Sequence, residues 1–198
     1  MTDISRGDLH VTYNNVKGLI EDSQILFREA RYRSAGFLAM TAIEEVGKLW
    51  LLRFSHLAGA PIVGLTKMVR DHTGKALEAA AWCLQLNAGA DRRHGKNPSS
   101  KVSATDGIAL LSRSTQWMRY RNACIYSDDD LAAQFDRAHS YYFICMALEV
   151  LAEETVSETV EGDAVTVWKD IIRGLEDFME QYKTDISHLA FLAQPDHN

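Results

Sequence analysis

Proline is scarce in this chain: three in 198 residues, at Pro61, Pro98 and Pro195. Each falls where a connection or a terminus is expected. Long stretches are thus left free to be helical, because a proline inside a helix removes a hydrogen bond and crowds the preceding turn. Cysteine is equally scarce. Cys83, Cys124 and Cys145 are odd in number, far apart and free of any CxxC spacing, which argues against a disulfide framework or a zinc site. They read as small hydrophobes in helix cores, in a protein of the reducing cytosol. Excess positive charge is also missing. Lys and Arg number 21 against 27 Asp and Glu, for a formal net charge of −6. Coating by nucleic acid through non-specific electrostatics needs a basic surface, so any nucleic-acid contact has to be local. No apolar run approaches the ~20 residues of a membrane-spanning helix, and the opening MTDISRGDLH lacks the basic-then-apolar pattern of a signal peptide. The Walker loop, GxGxxG, GxSxG and HExxH are absent. A cytoplasmic protein with no membrane contact, metal or cofactor is the expectation.

What is present is helical periodicity. Hydrophobic residues make up 46% and charged ones 24%, enough for a single globular domain over 1–198 with a buried core. Val16, Leu19, Ile20, Ser23, Leu26, Phe27 and Ala30 recur at helical spacing and predict a helix from Asp8 to about Ala30. A second is expected from about Arg33 to Ala58, with Ala35, Leu38, Ala39, Ala42, Ile43, Val46, Leu49 and Trp50 on one face and Gly59-Ala60-Pro61 as its stop. A third should occupy Gly64 to Leu86. Residues 89–104 have no apolar period and are rich in Gly, Ser and cations, so they read as a mobile basic loop. A fourth helix should end near Tyr126, and Ser127-Asp128 should cap a fifth from about Asp129 to Val160. Gly162-Asp163 breaks that pattern before a sixth, Ala164 to Tyr182, and a short one near Ile186 to Ala193. Apolar residues run nearly all round the fifth, as in a helix central to a bundle. The fold class expected is an all-α bundle of four to five main helices plus C-terminal helices.

Four charged clusters stand out. In AIEEVGKLW, Glu44 falls opposite the apolar arc and should be solvated. Glu45 falls at the arc's edge with Thr41, Lys48 and Leu52. A carboxylate there needs a partner, and a structural ion pair with Lys48 or with an arginine of a neighbouring helix is favoured over a catalytic acid. In RDHTGK, His72 and Lys75 share one helical face; they read either as half of an anion site or as an ordinary solvated face. Along the fifth helix, Phe135, His139, Tyr142, Met146, Glu149 and Glu153 share one line, as in the di-iron bundle of a ferritin-like oxidoreductase, although Asp136-x-x-His139 and Asp185-x-x-His188 are isolated pairs. Such bundles need repeated Glu-x-x-His pairs and further glutamates, so His139 reads as a core histidine with a hydrogen bond. Lastly, Arg92 and Arg93 lead the only concentrated positive charge, where a phosphate-bearing partner would meet the chain.

In their order, RYRSAGFLAMTAIEEVGKLWLL, DHTGK and RNACIYSDDD resemble the AbiV-type abortive-infection family of the HEPN superfamily, over about Val16 to Val156. The resemblance implies a helical bundle that dimerises and a role in bacterial defence against phage. In nuclease HEPN members an Arg-polar-x-x-x-His motif meets its copy across the dimer and cleaves RNA without metal. The arginine stabilises phosphate charge and the histidine moves a proton. Matched by position, Arg121 is the motif arginine, Asn122 the polar residue, and Tyr126 stands at the histidine position, as is typical of AbiV-like sequences. An unperturbed tyrosine titrates near 10 and a histidine near neutrality, so Tyr126 is suited to donate a hydrogen bond to a phosphate rather than to act as a base.

Two readings follow. In one, Arg121, Asn122 and Tyr126, helped by Glu45, Lys48, His72 and Lys75, engage RNA, a nucleotide or the translation machinery, with metal-independent endoribonuclease as the reaction class and Tyr126 or His72 as proton handler. In the other, Arg121 pairs with Glu45, Glu149 or Glu153 and stacks on Trp117. The charged motifs then hold the fold of a non-catalytic module that binds a phage or host protein.

Overall fold

The structure, a computed structural model, describes residues 6–57, 67, 70–81, 116–125, 135–157 and 164–186, and these contain helices and no strand. In chain order the helices are α1 (Arg6–Arg28), α2 (Tyr32–Leu57), α3 (72–81), α4 (Gln116–Ile125), α5 (Arg137–Ser157) and α6 (Ala164–Tyr182). The all-α bundle expected from the periodicity is what forms. The expected loop at 89–104, the short helix after Ile186 and the Ser127-Asp128 cap lie outside the described residues.

The α1–α2 corner is set locally. Arg31 N–H donates to the Leu26 carbonyl at 2.9 Å and Ala30 N–H to that of Phe27 at 3.0 Å, while Ala30 takes a φ of 58°. This is a Schellman closure with alanine in the left-handed position that glycine usually fills. It folds α2 back along α1 at once.

Two predicted helices differ from their expected bounds. The third is interrupted at Arg70 and Asp71, and α3 starts at residue 72. Arg70 and Asp71 turn back onto the Lys67 carbonyl, at 3.1 Å each. The fifth begins at Arg137 instead of near Asp129, because Asp136 is its cap. One Asp136 carboxylate oxygen accepts from Ala138 N–H at 2.9 Å and His139 N–H at 3.1 Å, satisfying donors that the first turn leaves over. The same oxygen lies 2.8 Å from His139 Nδ1. Burial pushes the Asp136 carboxyl up, but the bonds and charge of His139, with the Ala138 N–H, outweigh it and hold it below its ordinary value. His139 stacks on Phe135 at 5.1 Å, a core histidine as expected. Among the described residues no group of three or more His, Cys, Asp or Glu is placed to hold a metal.

α2 and α5 form the centre. Ala35, Ala39, Met40, Ala42, Ile43, Val46 and Leu49 of α2 are buried, as is almost every α5 residue from Ala138 to Ala152. Gly36 allows their close approach, since a Cβ there would sit 2.4 Å from the Phe135 ring. Ser140 Oγ donates to the Tyr32 carbonyl at 2.5 Å, and Arg53 pairs with buried Glu154 at 2.6 Å, so the two helices are tied at both ends and run parallel. α1 covers one side, with Tyr13 and Thr155 bonded at 3.0 Å. α6 closes another through Phe178 and Tyr182, which pack around Phe27 at 5.4 and 5.3 Å. That leaves the flank of α2 that takes α3 and α4.

Candidate functional site

Because α2 is covered on several sides, its charged residues are not on a solvated face. Glu44, expected to be solvated, is fully buried. α2 buries more than one arc: the arc opposite its apolar face receives α3 and α4. Glu44 Oε1 accepts from the Trp117 indole N–H at 2.9 Å, and Oε2 lies 2.6 Å from His72 Nδ1. Arg121 Nε stands 3.2 Å from Oε1. That separation makes an ion pair, but the N–H is not aimed at the oxygen and Nε has no hydrogen bond. A buried carboxylate is tolerable only with such company.

One residue on, Glu45 bridges Lys48 at 2.9 Å and Lys75 at 3.2 Å. Burial pushes its carboxyl up, but the two lysines outweigh this by hydrogen bonding and charge, and hold it below its ordinary 4.5. The structural ion pair with Lys48 is as expected. Lys75 is the second partner, and it is buried, not part of a solvated face. Gly47 makes this geometry possible: a Cβ there would lie 1.7 Å from the Lys75 carbonyl oxygen. The two sequence motifs are therefore the two sides of one helix junction. EE-x-GK supplies two carboxylates and a gap, and DHTGK supplies the histidine and lysine that fill them.

α4 runs antiparallel to α2. Arg121 lies over the Phe37 ring, 5.1 Å from its centroid, and it pairs with Glu44 at 3.2 Å, whereas Glu45 pairs with Lys48 and Lys75; the side chain of Glu153 lies outside the described residues. Arg33 Nε donates to the Ala123 carbonyl at 3.1 Å, bracing the start of α2 against α4. The arginine pair flanks Cys124. Burial nevertheless dominates that thiol and pushes it up to about 12, against the pull of Arg33 and Arg121. Asn122 is half-buried on the next position. Tyr126, Arg92 and Arg93 lie outside the described residues.

The sequence model of the AbiV family of HEPN domains matches residues 6–140, from α1 through the first turn of α5. The chain belongs to the AbiV family. Comparisons with curated proteins and with solved structures found no match. The AbiV match covers every residue of the Glu44 and Glu45 clusters. Among the described residues no helix is long and apolar enough to cross a membrane.

Of the residues expected at the site, the fold brings Glu45, Lys48 and Lys75 into one cluster and His72 and Arg121 into another beside it. Glu44, which joins the second, was missed, as were Trp117 as a donor and Arg33 as a brace. A tryptophan and an arginine four apart on α4, facing a helix with two adjacent glutamates, is the signal that points to them. It becomes readable only once α4 is known to lie against α2.

Proposed function

We propose that this AbiV-family protein acts in phage defence in the bacterial cytoplasm, as a homodimer, on RNA, a nucleotide or the translation machinery. The reaction class is metal-independent cleavage of RNA at the segment Arg121-Asn122-x-x-x-Tyr126. The observation that carries this reading is the convergence of the Arg121 guanidinium and the half-exposed His72 ring on one buried carboxylate. A fixed cation from the family's motif and a proton-transfer group beside it are what cleavage without metal needs. The basic segment at Arg92 and Arg93 supplies further phosphate contacts in this reading.

The test is cleavage of single-stranded RNA in the presence of a chelator, with wild type beside Arg121→Gln and Tyr126→Phe. Loss in both variants, with helical signal and melting temperature retained, supports the reading. Phage plating on cells expressing the same variants should follow the same order, and light scattering should give twice the chain mass.

A second reading is a non-catalytic protein-binding module. It is favoured by the closure of Arg121, whose side chain is 15% exposed and packed between Phe37 and Glu44. It predicts that Arg121→Gln lowers stability, and weakens phage defence only as far as it unfolds the protein.

A further inference from the structure

The tyrosine at position 126 leaves the AbiV motif without the residue type that titrates near neutrality, and the structure brings a histidine to the same arginine from another helix. We propose that His72, oriented by Glu44, is the proton-accepting group of this site and Glu44 its positioning residue; the assignment rests on the RNA-cleavage reading above. His72 opens α3, and its side chain is 39% exposed, whereas the carboxylate behind it is 1% exposed. Among the described residues only Nδ1 is engaged, at 2.6 Å from Glu44 Oε2. Among the described residues Nε2 has no partner. An ionised carboxylate only accepts, so the neutral ring carries its proton on Nδ1 and presents the Nε2 lone pair outward. Glu44 already has Arg121 as counter-charge, so a proton gained at Nε2 turns the cluster into a net cation facing an anionic phosphate. A hydrogen bond from the imidazole and an ion pair from the guanidinium, on opposite oxygens of one carboxylate, hold the two groups side by side, an arrangement suited to a single phosphodiester.

The step balances without metal. The ribose 2′-oxygen bonds to the adjacent phosphorus as its proton passes to His72 Nε2, and the P–O5′ bond breaks while Arg121 holds the non-bridging oxygens. The departing 5′-oxygen takes a proton from water, and the hydroxide left behind recovers the one on the imidazolium. The products are a 2′,3′-cyclic phosphate and a 5′-hydroxyl, and DNA of the same sequence is inert.

The experiment pairs two readouts on the full chain. Nitrogen-15 spectra of histidine-labelled protein, with the His72 signal assigned by its loss in His72→Gln, should show the Nδ1–H tautomer in wild type and its loss in Glu44→Gln. Cleavage of a short end-labelled RNA with chelator present should fall about 100-fold or more in kcat for His72→Gln, with KM little changed, as for loss of a general base. Imidazole should restore part of the rate to His72→Ala. An Nε2–H tautomer in wild type overturns the assignment, whatever the RNA does. Full-rate cleavage by a folded His72→Ala overturns it and leaves the RNA reading standing. An Nδ1–H tautomer with no cleavage by wild type overturns both.

Discussion

Replacing Glu44 is the sharpest test of the site's architecture. Glu44→Ala strips the fully buried Trp117 indole N–H of its acceptor, at about 1–3 kcal/mol for an unsatisfied buried donor. It also leaves Arg121, 15% exposed, without its counter-charge, and breaking a buried ion pair by removing one partner costs about 3–5 kcal/mol. Both losses stem from one acceptor and do not add in full, so about 3–5 kcal/mol is the expected total. Against a usual domain stability of about 5–15 kcal/mol, the variant should be marginal. Glu44→Gln keeps the volume and an oxygen for Trp117, loses the charge, and should cost about 2–3 kcal/mol, in the range of hydrogen bonds to charged groups. Adding Arg121→Met should recover about 1–3 kcal/mol of coupling, because it removes the stranded cation. Urea unfolding followed by far-UV circular dichroism measures all four proteins, and the midpoint should move at constant m. A Glu44→Ala variant within about 0.5 kcal/mol of wild type, the behaviour of a solvated residue, would refute the buried hub.

Gly47→Ala sets two effects against each other: alanine favours the helix by about 1 kcal/mol, yet its Cβ would sit 1.7 Å from a backbone oxygen that no rotamer change can move. The clash should win by about 1–3 kcal/mol net, seen as a lower melting temperature and faster amide exchange over 72–81. Glu45 has a folded-state carboxyl held below its ordinary 4.5, so its stabilisation is fully present above that pH and is lost as pH falls through the lower folded value. Between neutral pH and this acid range, wild type should therefore lose more stability than Glu45→Gln, and parallel acid curves would count against the Lys48 and Lys75 pairing. Cys124 and Cys145, both pushed up to about 12 by burial, should resist iodoacetamide at pH 8 in the native protein and react at once in urea. Rapid native labelling of Cys124 would show that α4 does not pack as described.

The sequence by itself determined the fold class and most of the described helices. α1, α2 and α6 form close to where apolar residues recur at 3.6-residue spacing, and α5 is central because its apolar residues run all round. Local turn chemistry is legible in principle as well, since the Asp136 cap and the Ala30 closure involve neighbours only a few residues apart. The partner of each charge was settled elsewhere. Glu44 meets Trp117 across 73 positions and His72 across 28, and neither meeting follows from a helical wheel, which knows one helix and assumes one buried face. On that assumption Glu45 stands out and Glu44 faces water. Tertiary packing reversed the roles because α2 is enclosed by α1, α5, α3 and α4 together, so the side left over from one neighbour is buried by the next. A buried carboxylate takes whatever donors that packing brings within reach, and here these are an indole, an imidazole and a guanidinium from two other helices.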